Sequence, residues 1–156
     1  MVILALDVGA ARIGVAASDE SELLASPRAV IRRRSDAAAV EAILRAVAEA
    51  DAGQVVVGLP VSFDGQLHAQ AQAVRRVAEK LRARLVVPLV YADETLSTVR
   101  AEEQLRASGI TRADKIRERI DAAAAAVILQ EYLDTRQEAV PPPLDAAEDR
   151  DESSRP

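Results

Sequence analysis

Residues 2–16 read VILALDVGAARIGVA, and this stretch decides the fold more than any other part of the chain. It holds two apolar runs, one ending at Asp7 and one beginning at Ile13, joined by a short linker that contains Gly9. Two such runs around a turn-permitting glycine predict a pair of neighbouring strands. A carboxylate at the end of a buried strand is costly without a partner. Asp7 is therefore the first candidate for a functional residue.

Two further apolar segments also carry carboxylates at one end. Residues 85–91 are followed closely by Asp93 and Glu94, and Asp121 opens the segment 122–129, which is apolar throughout. An all-round apolar helix is a buried one, so Asp121 also enters the protein interior. Divalent cations bind such oxygen ligands, and metal-assisted chemistry explains why three buried segments each deliver a carboxylate.

The composition excludes several kinds of site. The 156 residues suit one domain, and 49% of them are apolar, which is enough for a proper core. The absence of cysteine excludes disulfides, thiolate nucleophiles and cysteine zinc sites, and the single histidine, His68, excludes sites that need two. Only three residues are aromatic, which argues against base stacking as the main mode of nucleic-acid binding.

The net charge of −5 disfavours a nucleic-acid binder, but much of it is local. Residues 138–156 contain six acids against two arginines and include a run of three prolines, so we expect a disordered acidic tail behind a domain of residues 1–137. A near-neutral domain can still carry a basic face. We see neither a signal peptide nor a membrane span and expect a cytoplasmic protein.

The hydrophobic periodicity predicts an α/β domain with five strands and four helices. The predicted strands cover residues 2–7, 13–18, 27–31, 54–59 and 85–91. The predicted helices cover residues 35–50, 66–83, 97–108 and 111–134, with Ser35 as the first cap and Gly53 as the first stop. We expect a mixed sheet of order 3-2-1-4-5 with helices on both faces. Strands one, four and five then end at one edge, where open α/β sheets bind ligands.

Four motifs follow one another between residue 2 and about residue 134. They are Ala5-Leu6-Asp7-Val8-Gly9 with Arg12-Ile13-Gly14-Val15-Ala16, Val57-Gly58-Leu59-Pro60 with Asp64-Gly65, Asp93-Glu94-Thr95-Leu96-Ser97-Thr98, and Asp121-Ala122-Ala123-Ala124 with Ile128-Leu129-Gln130. In this order they resemble the motifs of the YqgF/RuvX family, whose members are described as pre-16S rRNA nucleases and Holliday junction resolvase-like proteins.

The resemblance implies an RNase H-like fold and a metal-dependent phosphodiesterase site. It assigns Asp7, Glu94 and Asp121 as catalytic residues and as ligands of Mg²⁺ or Mn²⁺, with two ions expected and Asp7 touching both. Such a pair of ions activates water and stabilises the leaving 3′ oxygen.

Alternatives remain open for each carboxylate. Asp7 could cap the following turn, and Asp121 could form an ion pair with Arg117, one helical turn away. Asp93 and Glu94 are neighbours in an extended segment and point to opposite sides, so only one is a metal ligand, and the resemblance favours Glu94. Strand five lies roughly 9–10 Å from strand one, which leaves Asp64, after strand four, as the reserve ligand.

Basic residues near these carboxylates are candidates for nucleic-acid binding. Arg12 is the first candidate for a phosphate contact, and a surface arginine is its plain alternative. Lys115, Arg117 and Arg119 precede Asp121 and form either a phosphate-steering strip or a solvated helix face. The run Arg32-Arg33-Arg34 has two interpretations as well. We favour a solvated loop over a role in phosphate binding that would extend the strip of Lys115, Arg117 and Arg119.

The predicted function is that of a metal-dependent endonuclease, and the resemblance favours processing of the 5′ end of pre-16S rRNA. The expected partners are nucleic acid, either pre-16S rRNA or branched DNA, and ribosomal particles. We expect the chain to be a monomer or a weak homodimer and no membrane to be involved.

A Holliday junction resolvase is the first alternative function. The others are a non-catalytic nucleic-acid-binding module and an actin-like or sugar-kinase-like domain, which shares the Asp7-Val8-Gly9 turn but needs a second lobe.

Overall fold

The structure is a computed structural model that describes residues 1–60, 69–94 and 113–139; of residues 94, 113–120 and 137–139 it describes the backbone alone. The strands in these ranges are β1 (Val2–Val8), β2 (Arg12–Ser18), β3 (Ala25–Arg32), β4 (Ala52–Pro60) and β5 (Leu89–Glu94). The helices in the same ranges are α1 (Asp36–Ala50), α2 (Ala69–Arg82) and α3 (Ala113–Ala139). None of these helices is both long and apolar enough to cross a membrane.

The five strands form one sheet of order β3-β2-β1-β4-β5, which confirms the predicted order. Strands β1, β4 and β5 run parallel, while β2 is antiparallel to both β1 and β3. The ends of β1, β4 and β5 therefore share one edge with the start of β2 and the end of β3. We call this the carboxyl edge, and it is the edge at which the sequence places the candidate site.

Alternating strand residues divide the core into two layers. Leu4 and Leu6 of β1 pack in the larger layer beneath α1 and α2. Ile3 and Ala5 pack in the smaller layer beneath α3, together with Leu129 and other apolar residues of that helix. The sheet is thus covered on both sides, and we refer to its two sides as the α1/α2 face and the α3 face. In β1 the side chains of Leu4, Leu6 and Val8 therefore point to the α1/α2 face, and those of Ile3 and Ala5 point to the α3 face.

Helix α1 begins and ends where predicted, but a different residue stops it. Ser35 is its N-cap, and the hydroxyl of Ser35 accepts a hydrogen bond from the Ala38 amide at 3.1 Å. The last helical residue is Ala50, and the C-cap is Asp51, which adopts the left-handed conformation with φ 49° and donates its amide to the Ala48 carbonyl. Gly53 was expected to stop the helix, and this is wrong, because Gly53 already belongs to β4. Asp51 takes the left-handed role that the sequence suggested for glycine, as acidic side chains tolerate that conformation.

Strand β5 lies further along the chain than predicted. The apolar run suggested a strand over residues 85–91, but the strand is Leu89–Glu94. Pro88 explains the shift, since it has no amide to donate and stands just before the strand, where its carbonyl accepts from the Val55 amide at 2.9 Å. Leu85 and Val87 still pack against the core from the preceding segment. The shift brings Asp93 and Glu94 into the sheet itself instead of the loop after it.

Helix α3 runs to Ala139, five residues past the expected end near Asp134. The helix expected over residues 97–108, the loop that carries Asp64 and the acidic tail after residue 139 lie outside the described residues.

Candidate active site

Asp7 is the next-to-last residue of β1 and lies on the α3 face of the sheet. It continues the row of Ile3 and Ala5, both of which pack beneath α3, and it is itself half-buried. Its partner across the antiparallel pair with β2 is Gly14. Asp7 therefore reaches the carboxyl edge on the side that α3 covers, beside the smallest possible neighbour.

Gly14 is the point at which α3 rests on the sheet. A Cβ atom built on Gly14 would overlap the backbone carbonyl of Asp121 and would lie 3.1 Å from the Ala122 amide nitrogen. The helix backbone therefore lies directly on β2 at this position, as the small buried residues Ala124 and Ala125 also permit. Gly14 is thus a neighbour of both candidate ligands: it pairs with Asp7 in the sheet, and it packs against the backbone of Asp121 in the helix.

The Asp121 carboxylate forms an ion pair with Arg12. The Arg12 Nε atom lies 2.8 Å from Oδ2 of Asp121, and the two side chains are 29% and 26% exposed. The Asp121 Oδ2 atom itself is buried. Arg12 comes from β2, two residues before Gly14; Arg117, the alternative partner that the sequence offered, has its side chain outside the described residues. The charge of Asp121 is thus balanced from the sheet, across the contact between α3 and β2.

The register of β5 separates Asp93 from Glu94. Asp93 pairs with Leu59 and Glu94 with Pro60 at the carboxyl edge. Leu89 and Tyr91 pack in the α1/α2 layer, whereas Val90 and Ala92 pack in the α3 layer. In this alternation Asp93, which is exposed, follows the α1/α2 row. Position 94 follows the row of Asp7, and the Glu94 side chain lies outside the description.

The described side chains do not complete a metal site by themselves. No three carboxylate, histidine or cysteine residues among them come together as ligands. Asp7 and Asp121 belong to the described side chains, whereas those of Glu94 and Asp64 lie outside them. The donor chemistry suits Mg²⁺ or Mn²⁺, which prefer carboxylate oxygens. A cationic group also already stands at the buried oxygen of Asp121, in the form of Arg12.

The basic residues predicted on the last helix have known backbone positions only. Lys115, Arg117 and Arg119 lie in the first two turns of α3, before the helix meets β2 at Asp121, and their side chains lie outside the description. The helix start leads towards the carboxyl edge, so the segment that carries these residues approaches the candidate site.

The turn between β1 and β2 is held from two sides. Within it, the Gly9 amide donates to the Arg12 carbonyl at 2.8 Å. From outside, Arg33 donates its backbone amide to the Ala11 carbonyl at 2.9 Å and its guanidinium to the Gly9 carbonyl at 3.1 Å. This turn, residues 9–11, links Asp7 to Arg12, so Arg33 positions the segment between two candidate functional residues.

Arg33 is in turn anchored by Asp36. The Asp36 carboxylate accepts from the Arg33 guanidinium at 2.9 Å and from the Lys80 ammonium at 3.2 Å. Both hydrogen bonds, that with Arg33 first, lower the pKa of Asp36 below its ordinary value. The Arg33 side chain is 16% exposed, so the interpretation of residues 32–34 as a solvated loop is wrong for Arg33. The hydrophobic periodicity of the sequence does not predict these hydrogen bonds, which connect the turn through Arg33 and Asp36 to α1 and through Lys80 to α2. We call this set of contacts the Arg33–Asp36 brace.

Replacing Asp36 by Asn should reduce stability in a pH-dependent way. A carboxylate whose pKa is lower in the folded state contributes stability above its unfolded pKa, about 3.8, and this contribution is lost as the pH falls through the folded pKa. The free energy of unfolding should therefore differ between wild type and Asp36→Asn at pH 7, and the difference should shrink as the pH falls through the folded pKa of Asp36.

Urea unfolding at several pH values measures this difference. Glu49→Gln is a matched control, since Glu49 is an exposed carboxylate of the same helix and should show no such pH-dependent gap. A difference between wild type and Asp36→Asn that stays the same from pH 7 down to the most acid pH at which both proteins fold would contradict these hydrogen bonds of Asp36.

A cleft of about 620 Å³ opens on the other side of the same turn. Its walls are the turn, the start of α1 with Arg33 and Arg34, and the first two turns of α2. It lies on the α1/α2 face, whereas Asp7 and Asp121 lie on the α3 face. The cleft is thus a neighbour of the candidate site and not part of it.

Comparisons with known proteins agree on one family. A family model described as "RuvX: Holliday junction resolvase" matches residues 1–135. A protein of Chloroflexus aurantiacus named "Putative pre-16S rRNA nuclease" is 44% identical over 136 residues, covering 87% of this chain and 88% of its own. A protein of the same name from Synechococcus sp. (strain JA-3-3Ab) is 48% identical over 138 residues, covering 86% of this chain and 84% of its own.

Solved structures support the same fold at much lower identity. Thermus thermophilus RuvC in complex with a Holliday junction substrate superposes with a TM-score of 0.56 at 17% identity, covering 88% of this chain and 96% of that one. Fowlpox virus resolvase in complex with Holliday junction DNA gives 0.53 at 11% identity, covering 87% and 99%. Together with the sheet order, these likenesses show the RNase H-like fold that the sequence predicted.

Proposed function

Because the chain belongs to the RuvX family, a family of nucleases that hydrolyse phosphodiester bonds, we propose that it cleaves nucleic acid with divalent metal ions held by Asp7, Glu94 and Asp121. One observation carries this proposal. Asp7 and Asp121 both adjoin Gly14 at the carboxyl edge, and position 94 lies in the row of the sheet that faces the same side. Three carboxylates gathered from β1, β5 and α3 in this way match the needs of Mg²⁺ or Mn²⁺.

The metal ions and the chain's own residues have separate parts in the reaction. When bound, a pair of such ions would lower the pKa of a water molecule and stabilise charge on the leaving 3′ oxygen. Asp7 sits where it could serve both ions, at the end of the central strand β1. Asp121 supplies a ligand from α3, and its distance from β1 is set by the close contact at Gly14. Half-burial of both carboxylates favours ligation over simple hydration.

Cationic side chains would bind the sugar–phosphate backbone next to the carboxylates. Arg12 lies closest among the described residues, since it contacts Asp121 directly. Lys115, Arg117 and Arg119 approach from the start of α3. Such contacts position a nucleic acid without reading its sequence. They also allow a chain with a net charge of −5 to bind a polyanion locally.

We favour precursor 16S rRNA as the substrate, with cleavage at its 5′ end, and ribosomal particles as partners. The choice of this RNA is supported by the relatives of 44% and 48% identity that are named "Putative pre-16S rRNA nuclease". The 5′ end and the ribosomal particles follow from the family resemblance of the motifs. The rival substrate is a four-way DNA junction, after the description of the family model. A junction resolvase cuts two strands and would need a dimer with two sites, whereas cleavage of an RNA end needs a single site.

Cleavage of two labelled substrates tests the proposal. A pre-16S rRNA fragment and a four-way DNA junction are each incubated with the protein in Mg²⁺, in Mn²⁺ and in EDTA. We expect metal-dependent cutting of the RNA fragment and little cutting of the junction. Preferential cutting of the junction would instead establish the resolvase. Binding of either substrate with no cutting under any condition would leave the non-catalytic module as the better account.

A further inference from the structure

Two arginines stand directly opposite each other next to the candidate site. Arg12 at the start of β2 pairs with Arg32 at the end of β3 in the antiparallel register. Directly opposite residues of such a pair lie on the same face with Cβ atoms about 4.5–5.5 Å apart, and like charges in this position repel. The pair lies on the α3 face, because Arg12 belongs to the row of Gly14 and Ala16. An arrangement of this kind is stable when an anion lies between the two cations.

Only one of the two arginines has a carboxylate among the described residues. Arg12 binds Asp121, whereas Arg32 is exposed and has no ion pair in the described part of the chain. The planar guanidinium group offers several donors in a fork that matches phosphate oxygens. Arg32 is therefore placed to take an anion from solution beside Arg12.

We propose that Arg12 and Arg32 together form a subsite for one backbone phosphate of the substrate, and that this subsite opens when a divalent ion replaces Arg12 at Asp121. The proposal rests on the proposed nuclease function. The single negative charge of Asp121 cannot balance the charges of both a metal ion and Arg12. The buried Oδ2 atom of Asp121 already lies beside the Arg12 guanidinium. Once the ion neutralises Asp121, two adjacent guanidinium groups remain without a carboxylate, and a phosphate compensates both.

The position of the subsite determines the direction in which a bound nucleic acid crosses the sheet. Arg32 belongs to β3, which is the outer strand on one side of the sheet, while β4 and β5 lie on the other side of β1. A nucleic acid held by Arg12 and Arg32 would extend from the candidate site across the start of β2 and the end of β3. Metal binding and nucleic-acid binding would then strengthen each other, because each favours the state in which Arg12 has left Asp121.

Fluorescence anisotropy with a labelled single-stranded RNA tests the subsite. Binding is measured in Ca²⁺, which takes the same oxygen ligands, and in EDTA, with the RNA checked as intact by gel. Arg32→Gln should weaken binding in Ca²⁺ about tenfold, as expected for a lost charged hydrogen bond, and should reduce the salt dependence by about one phosphate contact. Arg28→Gln is the matched control, since Arg28 is an exposed arginine of the same strand, and it should bind within about twofold of wild type.

The opening of the subsite is tested with Arg12→Gln. This variant should weaken RNA binding about tenfold in Ca²⁺ but less than about twofold in EDTA, where Arg12 is held by Asp121. The double variant Arg12→Gln/Arg32→Gln should lose less than the two single losses combined, because both side chains bind one phosphate. Circular dichroism checks that each variant is folded.

Two results would overturn the subsite. In the first, Arg32→Gln binds in Ca²⁺ as Arg28→Gln does. In the second, Arg12→Gln loses the same affinity with and without the metal ion. If wild type still cleaves in a metal-dependent manner, either result removes the subsite alone. Absence of both cleavage and Ca²⁺-dependent binding in wild type would remove the proposed function as well.

Discussion

Replacement of Asp7 by Asn is expected to slow phosphodiester cleavage by at least about a thousandfold while the protein stays folded. Asparagine has nearly the same shape, and the site is half-buried, so the packing of β1 beneath α3 should persist. The lost negative charge would remove the carboxylate that we propose as a ligand of the metal ions. Stabilisation by such ions amounts to several kcal/mol in the transition state, and each 1.36 kcal/mol changes the rate tenfold.

Single-turnover cleavage of the labelled substrate measures this effect. Asp93→Asn is the control, because Asp93 is exposed and follows the row of β5 on the α1/α2 face; its rate should stay within about twofold of wild type. Asp7→Asn should still bind the substrate, since its phosphate contacts come from arginine and lysine. Cleavage by Asp7→Asn at close to the wild-type rate would show that Asp7 is only a cap of the following turn.

Gly14→Ala is expected to have the largest effect on stability. The new methyl group would overlap the backbone carbonyl of Asp121, and neither the helix backbone nor the paired strand can yield by a simple side-chain rotation. Overpacking of this kind costs about 3 kcal/mol in the free energy of unfolding. Displacement of α3 would also carry Asp121 away from Asp7, so the cleavage rate should fall along with the stability.

Gly53→Ala is the control, because it also replaces a strand glycine by alanine but does not affect the contact between α3 and β2. A methyl group on Gly53 would meet the side chain of Met1, which is flexible and can move aside. The free energy of unfolding should then change by less than about 1 kcal/mol. Urea unfolding compares the two variants with wild type. Equal effects at both glycines would mean that α3 does not rest on β2 in the way described.

The order of the sheet could be predicted because several physical signals agree. Apolar runs of strand length, the turn around Gly9 and the crossover helices leave few topologies that keep parallel strands buried. The same runs place Asp7 at the end of one strand and Glu94 shortly after the end of another, so a common edge for them follows from the topology alone. The resemblance to a family then supplied the chemistry, which periodicity cannot provide.

Local features that depend on tertiary contacts could not be predicted in the same way. The start of β5 is set by Pro88, and the apolar residues before it pack without joining the sheet. Arg12 and Asp121 are more than one hundred residues apart in the chain, and their ion pair exists only because Gly14 lets α3 approach β2. Arg33 resembles its two neighbours in sequence, yet it alone of the three braces the turn through Gly9 and Asp36.

The most direct test of the account is a titration of the protein with Mn²⁺, followed by isothermal calorimetry and by electron paramagnetic resonance of the free ion. We expect two ions per chain for wild type, clearly weaker or fewer ions for Asp7→Asn, and no change for Asp93→Asn. Equal binding by wild type and Asp7→Asn, or no binding by wild type at all, would contradict the claim that the carboxylates of β1, β5 and α3 form a metal centre.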